Sequence, residues 1–482
     1  MASSPSFYAY RPWHNIRRRI IYLYAGRTGS GGITEFTHTR GKFGNCERSD
    51  IMTSGKTEKG VNVTRRGFLA KSALGAAVIL AGSHRLYAAG SDTIKVGVVG
   101  CGGRGTHDTA NLLRADPNVE IVAMGDLFKE RISTMVGQLS KEFPGRVKVT
   151  PETTFTGLNA CKNVLDSGID MVMMTQTPHF RPAHFKQAVE AGKHIFLEKP
   201  VAVDPVGVRS IMQTAEQADA KGLKVVCGTQ MRRIAHLVAG VERIHNGAIG
   251  NIVAGQCVRI GDGLMNWGAK VRKPEWSDIE WQIQRWLFIT WLSGDFIVEQ
   301  HIHNIDIVNW VLDAHPVKCL GIGGRQVRTA PEYGDVYDHM AVEYEYPKNV
   351  RVAYVGQQID GCTDRCDQRF EGTKGSSYLD FAIARIAGQN PWQYEGETIN
   401  PEIKQHADHL AAIRDNKPIN EAKRVAESTM TTIMGRMSAY TGRELSWDWL
   451  MKSSKLDYTP TSYESGPVPK LEVAMPGKTP LM

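Results

Sequence analysis

Apolar and polar positions divide this chain into regions of different rhythm. From residue 93 to about 228, short unbroken apolar runs alternate with stretches of helical periodicity. The run from Ile94, then Val119 to Met124, Met171 to Met174, Ile195 to Leu197 and Val225 to Cys227 all read as buried strands. Strands alternating with helices in this way predict an α/β, doubly wound Rossmann domain over residues 91–228. Asp204-Pro205 offers an N-cap side chain followed by a first-turn proline, so a helix is expected over Val206 to Ala220. Beyond residue 229 the runs lengthen, as in Ile252 to Ile260, Val317 to Gly321, His339 to Tyr346 and Arg351 to Gln357, with few helices between them. That change predicts an α+β domain over 229–450 built on an open, mainly antiparallel sheet. Helical spacing returns at Glu402 to Arg414 and Ala422 to Tyr440, and residues 451–482, proline-rich from Thr459, read as an extended C-terminal arm.

The first ninety residues follow neither pattern. Thr64-Arg65-Arg66-Gly67-Phe68-Leu69-Ala70-Lys71 precedes the uncharged stretch Ser72 to Gly82, and Ala88-Ala89-Gly90 offers small residues for cleavage. This is the layout of a twin-arginine export signal over 52–90, and its apolar run is too short and too rich in glycine and alanine to hold a bilayer span. Residues 1–51 then read as a non-structural extension with Met52 as the functional start, and a periplasmic destination is expected. Residues 1–90 carry 14 Lys+Arg against 4 Asp+Glu, leaving 44 against 46 in the remainder. The overall basicity therefore belongs to the leader and implies neither nucleic acid nor an acidic partner. Of eight cysteines only Cys46 lies in the leader, and the odd seven that remain contain no Cys-x-x-Cys pair, so no disulfide framework is expected. Cys362 and Cys366, the one close pair, read as solvent-facing loop residues.

The first strand runs into Gly100-Cys101-Gly102-Gly103-Arg104-Gly105. In such a loop Gly100 allows the tight turn, Gly102 lets backbone approach a pyrophosphate, and Gly105 lets the next helix pack closely while its N-terminal N–H groups face the anion. The second apolar run ends at Asp126, placed to accept hydrogen bonds from an adenosine ribose. A dinucleotide is the implied cofactor. A carboxylate at Asp126 favours NAD, although Lys129 and Arg131 nearby leave room for NADP.

The glycine loop, Thr177-Pro178 after the fourth strand, Glu198-Lys199-Pro200 after the fifth and His303-Asn304-Ile305-Asp306 further on together resemble the Gfo/Idh/MocA-type oxidoreductases, the family of glucose-fructose oxidoreductase and inositol dehydrogenase. The resemblance covers roughly residues 93–450. It implies NAD(P)-dependent hydride transfer on a sugar, polyol or related carbohydrate, with Thr177, Pro178, Glu198 and Lys199 at the cofactor. The family pattern Asp-x-Gly-x-His-x-x-Asp places His303 as the catalytic histidine and Glu299 at its acidic partner's position, while His301 replaces the glycine.

The same residues can be read for their chemistry. Lys199 follows a buried strand at the edge of the expected crevice, where an ammonium can stabilise charge developing on a substrate oxygen as hydride leaves the adjacent carbon. A histidine at 303 suits proton transfer because its ordinary pKa is near neutral, and a carboxylate beside it fixes its tautomer. Were residues 299–303 extended, Glu299, His301 and His303 would share one face, an arrangement that also fits zinc or iron; a helix start with Asp306 capping or pairing is a third reading. Catalysis with bound cofactor and no metal is favoured. Trp267, Trp276, Trp281, Trp286 and Trp291 crowd the segment before this cluster; Trp286 and His301 are taken as substrate contacts, with packing of a long loop as the alternative. Gln230 and Arg232 open the second domain as further substrate contacts, with a surface salt bridge the default for one of Arg232 and Arg233. The overall expectation is an exported homo-oligomer acting on a small carbohydrate or polyol with tightly held cofactor, or else a redox-neutral glycosidase or lyase using that cofactor transiently. A binding protein without turnover is the third reading.

Overall fold

The computed structural model describes residues 93–263, 272–463 and 468–482. The twin-arginine stretch, Met52 and Trp267 lie outside them.

The first domain is the expected Rossmann fold. Its elements are β1 (Ile94–Val99), α1 (Gly103–Ala115), β2 (Val119–Asp126), α2 (Lys129–Glu142), β3 (Thr154–Thr156), α3 (Ala160–Leu165), β4 (Met171–Met174), α4 (Arg181–Glu190), β5 (His194–Leu197), α5 (Pro205–Ala220) and β6 (Val225–Cys227). The six strands are parallel in the order β3-β2-β1-β4-β5-β6. Strand order reverses between β1 and β4, so the carboxyl ends of β1, β2, β4 and β5 converge on one crevice. The strands are apolar on both sides because helices cover both faces. Short β3, with its polar Thr154 and Thr156, gave no apolar run to read.

The second domain adds α6 (Ala235–His245), β7 (Ile252–Gly261), the short helices α7 (Asp278–Gln284), α8 (Thr290–Ser293) and α9 (Phe296–Glu299), then α10 (Ile302–Leu312), β8 (Lys318–Gly324), β9 (His339–Tyr346), β10 (Val350–Gln358), β11 (Arg365–Gly372), β12 (Gly375–Asp380), β13 (Ala384–Gly388) and β14 (Trp392–Gln393). After α11 (Pro401–Arg414) and α12 (Ala422–Thr441), β15 (Leu445–Ser446) closes the nine-stranded sheet, in the order β14-β13-β12-β11-β7-β10-β9-β8-β15, and α13 (Trp447–Lys452) follows. Its strand pairs are antiparallel except β7 with β10. Along β10, buried Val350, Val352 and Tyr354 alternate with Arg351, Ala353 and Val355, and the sheet meets α6 through β12 and β13, α10 through β7 and β11, and α12 through β8 and β9.

Two features differ from the sequence reading. Residues 278–312 are a chain of helices, started by a capping box in which Ser277 and Glu280 satisfy each other's backbone N–H groups. β11 escaped notice because its inward side carries Gln368 as well as Phe370, which breaks the apolar alternation. α11 leaves the sheet and lies on α1 and on the short 3-10 turn Gln230–Arg233, and Arg414 pairs with Asp116 at 3.0 Å. Central α12 is buried on nearly every side between α5, α10 and β8.

Asp204 caps α5 as expected, its Oδ1 accepting from Gly207 N at 2.7 Å, and its Oδ2 also accepts from Tyr458 N at 3.0 Å, pinning the start of the arm. Asp204→Ala removes both bonds from a buried site and is expected to destabilise the protein by about 2 kcal/mol, read as a lower urea midpoint. An unchanged midpoint would show that the cap and the arm contact contribute nothing.

Candidate active site

The glycine loop is built as the turn requires. Gly100 has φ +95°, and a Cβ there would lie 2.3 Å from Gln176 N. A Cβ on Gly105 would lie 2.0 Å from Gly100 O, so α1 can approach the loop only with glycine at that position. Above Gly102 and Gly103, by contrast, a Cβ would meet nothing within 4 Å, and α1 has neither a capping side chain nor an acidic residue in its first turn. Open space facing uncapped N–H groups is what a pyrophosphate needs, so these residues fit a dinucleotide. Asp126 is buried at the end of β2, with Oδ2 accepting from Cys101 N at 2.7 Å and Oδ1 from Phe128 N at 2.9 Å. Cys101 is buried under the loop, and burial followed by the Asp126 charge holds its thiol well above its ordinary range, so it is a packing residue.

Arg104 turns away from the loop. Its guanidinium reaches Glu198 at 3.0 Å, Asp108 at 3.1 Å and Glu402, from α11, at 3.1 Å. Burial opposes ionisation of Glu198, but Arg104, Lys199 and Arg181 outweigh it and keep this carboxyl below its ordinary range; Asp108, fully buried, is pushed well above its own. Glu402 had carried no signal, since nothing in the sequence shows that α11 returns to the first domain.

Lys199 leaves β5 and crosses to the second domain. Its Nζ donates to Glu299 O at 2.6 Å and to Glu299 Oε1 at 2.9 Å. Two of the ammonium's three N–H groups are thereby engaged, which leaves one for a substrate oxygen. Thr177 and Pro178 open the turn after β4, Pro178 buried.

Residues 299–303 are not extended, and the shared face of Glu299, His301 and His303 does not form. Glu299 ends α9, and His301 lies between α9 and α10, 1% exposed, its Nδ1 2.6 Å from the Tyr354 hydroxyl. Gly356 makes room for that contact, since a Cβ there would lie 1.9 Å from the Tyr354 hydroxyl oxygen. His301 is therefore a core residue and not a substrate contact. His303, in the first turn of α10, is partly exposed with a buried Nδ1 that has no hydrogen-bond partner. Burial, then the positive charges of Lys199, Arg104 and Arg259, hold its pKa well below 6.5 despite Asp306, so the ring is a neutral acceptor at neutral pH. Among the described residues no three His, Cys, Asp or Glu side chains converge on a metal site.

Other expected contacts are placed elsewhere. Arg232 forms a two-pronged ion pair with Asp306, at 2.8 and 3.0 Å, and Arg233 pairs with Glu421 at 3.0 Å, so both arginines serve the protein and Arg232 is not free for substrate. Gln230 is buried, its Oε1 without a partner. Trp286 packs with Phe128, Phe180, Ile283, Trp291 and Tyr463 in an apolar cluster over the carboxyl ends of β2 and β4. Trp276 and Trp281 stack beside it, 6.1 Å between centroids, and the Tyr463 hydroxyl meets His179 Nε2 at 2.7 Å. The aromatic-rich segment and the arm thus cover the nucleotide crevice.

Sequence reasoning missed Arg259 and misread Cys366. Cys366 lies on β11, not in a loop, and receives hydrogen bonds from Arg259 Nη1 at 2.9 Å and Asn304 Nδ2 at 3.2 Å. Only the β7–β11 register, which pairs Arg259 with Cys366, brings them beside His303.

Residues 94–226 match the GFO_IDH_MocA model, an oxidoreductase family with an NAD-binding Rossmann fold. Over 262 residues the chain is 25% identical to inositol 2-dehydrogenase 3 of Saccharopolyspora erythraea, covering 54% of this chain and 65% of that protein. Over 179 residues it is 24% identical to the 2,7-anhydro-N-acetylneuraminate hydratase of Escherichia coli, covering 37% and 43%. The matched stretch spans less than two thirds of either relative's length. The crystal structure of scyllo-inositol dehydrogenase from Lactobacillus casei, with bound NAD(H) and scyllo-inositol, shares the fold, with a TM-score of 0.56 over 74% of this chain and 99% of that one at 16% identity.

Burial holds His179, His184 and His409 down to about 4, and His301, His303 and His406 well below 6.5. Between 6.5 and those values the unfolded chain binds more protons, so stability is complete above pH 6.5 and falls as pH drops below it. Asp295 and Asp335, both raised to about 6 by burial, act in the opposite sense, as do Asp108, Asp126, Asp204 and Glu427, also raised chiefly by burial, but these six carboxyls are outnumbered by the lowered histidines, eight with His194 and His236. The urea midpoint is expected to fall from pH 7 to pH 5 with net proton uptake on unfolding; a midpoint that rises would contradict the neutral histidines.

Proposed function

We propose that this chain is a Gfo/Idh/MocA-type oxidoreductase that uses NAD to interconvert a secondary alcohol and a ketone on a sugar, polyol or related carbohydrate. The observation that carries the reading is the position of Lys199, whose ammonium leaves the nucleotide domain, is held by Glu299 at the end of α9, and lies near enough to His303, in the first turn of α10, for its charge to help keep that ring neutral. NAD bound along the glycine loop would supply the hydride acceptor or donor. Lys199 directs its remaining N–H at the reacting oxygen and stabilises negative charge there, while His303 takes up the hydroxyl proton in oxidation and returns it in reduction. Glu299 fixes Lys199 and does not itself reach for the proton. The matched inositol dehydrogenase supports the polyol class.

The matched hydratase favours a second reading, in which the hydride returns to the product and the net reaction is elimination or cleavage. Product formation with no net NADH distinguishes it from simple dehydrogenation.

NAD is preferred over NADP in this reading because Asp126 sits at the end of β2 and Arg131, one of the two nearby cations, is engaged: it donates to Gln284 Oε1 at 2.9 Å and lies over Phe128 at 4.7 Å, while Lys129 is exposed. The aromatic cover over the crevice supports tight retention of the dinucleotide, and the twin-arginine stretch supports export of a folded, already loaded protein to the periplasm. Cell fractionation followed by assay of nucleotide released from the denatured periplasmic pool tests both; cofactor-free or cytoplasmic protein would overturn them.

Lys199→Ala is expected to lower kcat by about 10²- to 10³-fold with bound NAD near the wild-type level, because the ammonium acts on the transition state more than on the cofactor. His303→Ala is expected to lose activity and recover part of it with added imidazole, and wild-type oxidation should keep its rate from pH 8 down to 6.5 because His303 stays neutral there. Turnover untouched by either substitution would remove that residue from the reacting centre. Titration is expected to show at least about tenfold tighter binding of NAD than of NADP.

A further inference from the structure

We infer that Arg259 receives a carboxylate of the substrate, so that the carbohydrate handled at this site is an acid, such as a sugar or polyol bearing one carboxyl group. The inference rests on the proposed function and narrows its substrate class.

Arg259 lies near the end of β7 on the sheet face turned toward the helices, opposite Gly356 of β10 and Cys366 of β11. Its guanidinium donates to Cys366 Sγ at 2.9 Å and lies over the Phe381 ring at 5.3 Å, so its plane is set from one side. Asn304, the residue after His303, donates to the same sulfur at 3.2 Å and keeps a buried Oδ1 without a partner. Arg259, Cys366 and Asn304 therefore form a continuous wall that ends at His303.

This wall carries a net positive charge. Around the reacting centre Lys199 is matched by Glu299, Arg104 by Glu198 and Glu402, and Arg232 and Arg424 by Asp306. Arg259 has no ion-pair partner among the described residues, and its positive charge is felt at His303 and His301, whose pKa values it helps to lower. A fork of N–H donors left unneutralised beside the reacting group matches a planar, singly charged carboxylate, which it can bind through two parallel hydrogen bonds. A neutral hydroxyl would use one donor and leave the charge unbalanced, and a phosphate dianion would bring twice the charge that the wall offers.

The test uses the full-length holoprotein with gluconate and glucuronate, their uncharged counterparts glucitol and glucose, and glucose 6-phosphate, reading both NADH formation and binding by calorimetry. The expected result is a preference for the carboxylated compounds. Arg259→Met should reduce the carboxylate-to-neutral ratio of kcat/KM by about 10²-fold, mainly through KM, with R259K retaining part of the preference. Equal or better use of the neutral compounds, preference for the phosphate, or a ratio that R259M leaves unchanged would overturn the assignment while leaving the dehydrogenase reading intact. If nothing in the panel reduces NAD, that reading fails, and binding decides the inference separately: carboxylate binding lost in R259M sustains it, and absent or R259M-insensitive binding refutes it.

Discussion

The architecture of the site depends on one contact, the ammonium of Lys199 against Glu299. Lys199 follows the last strand residue of β5 by two positions and Glu299 belongs to the helical chain that leads into the second sheet, so this pair ties the cofactor side to the substrate side. Both side chains are largely buried, at 11% and 12% exposure. Burying such a pair yields little net stability, because desolvation offsets attraction, whereas removing one partner leaves the other charged and unsatisfied. Its worth is positional: the carbonyl and carboxylate oxygens of one residue hold two N–H groups and thereby aim the third.

A second buried network orients the cofactor side. Three carboxylates, Asp108, Glu198 and Glu402, surround the Arg104 guanidinium, more negative charge than one cation can balance. The structure eases the excess by holding Asp108 well above its ordinary range, chiefly through burial, and Glu198 below its own beside the Lys199 backbone N–H, 2.9 Å away. The phosphate loop, the segment that presents Lys199 and the returning α11 are tied in one hydrogen-bonded unit. Few other arrangements would let a residue near position 400 influence the geometry of a loop at position 100.

Legibility of the sequence followed the range of the interactions. The Rossmann strands were readable because burial on both faces leaves unbroken apolar runs, and the α5 start because Asp204 and Pro205 act within one turn. Lys199 and His303 were marked by motifs that place them at element ends. The failures are long-range. Arg232 looked available until Asp306 arrived from α10, and His301 looked like a ligand until Tyr354 arrived from β10. Cys366 looked like a loop residue because β11 mixes Gln368 with apolar neighbours on its inward side. Arg259 carried no local signal, since its importance lies in which strand it faces.

The five tryptophans illustrate how one composition can serve two purposes. Aromatic rings before a catalytic segment suit sugar faces, yet among those described Trp276, Trp286 and Trp291 cluster with Phe128 and Phe180, from the segments after β2 and β4, and Trp281 stacks on Trp276. A ring stacked against residues at the carboxyl edge of a parallel sheet excludes water from the crevice there, and the extended arm adds Tyr458, Tyr463 and Val468 to the same apolar surface. On the inference drawn above, substrate recognition falls instead to Asn304, Arg259 and Cys366, none of which belongs to that cluster. The aromatic segment therefore closes the nucleotide side, and the polar, positively charged sheet face selects what reaches His303.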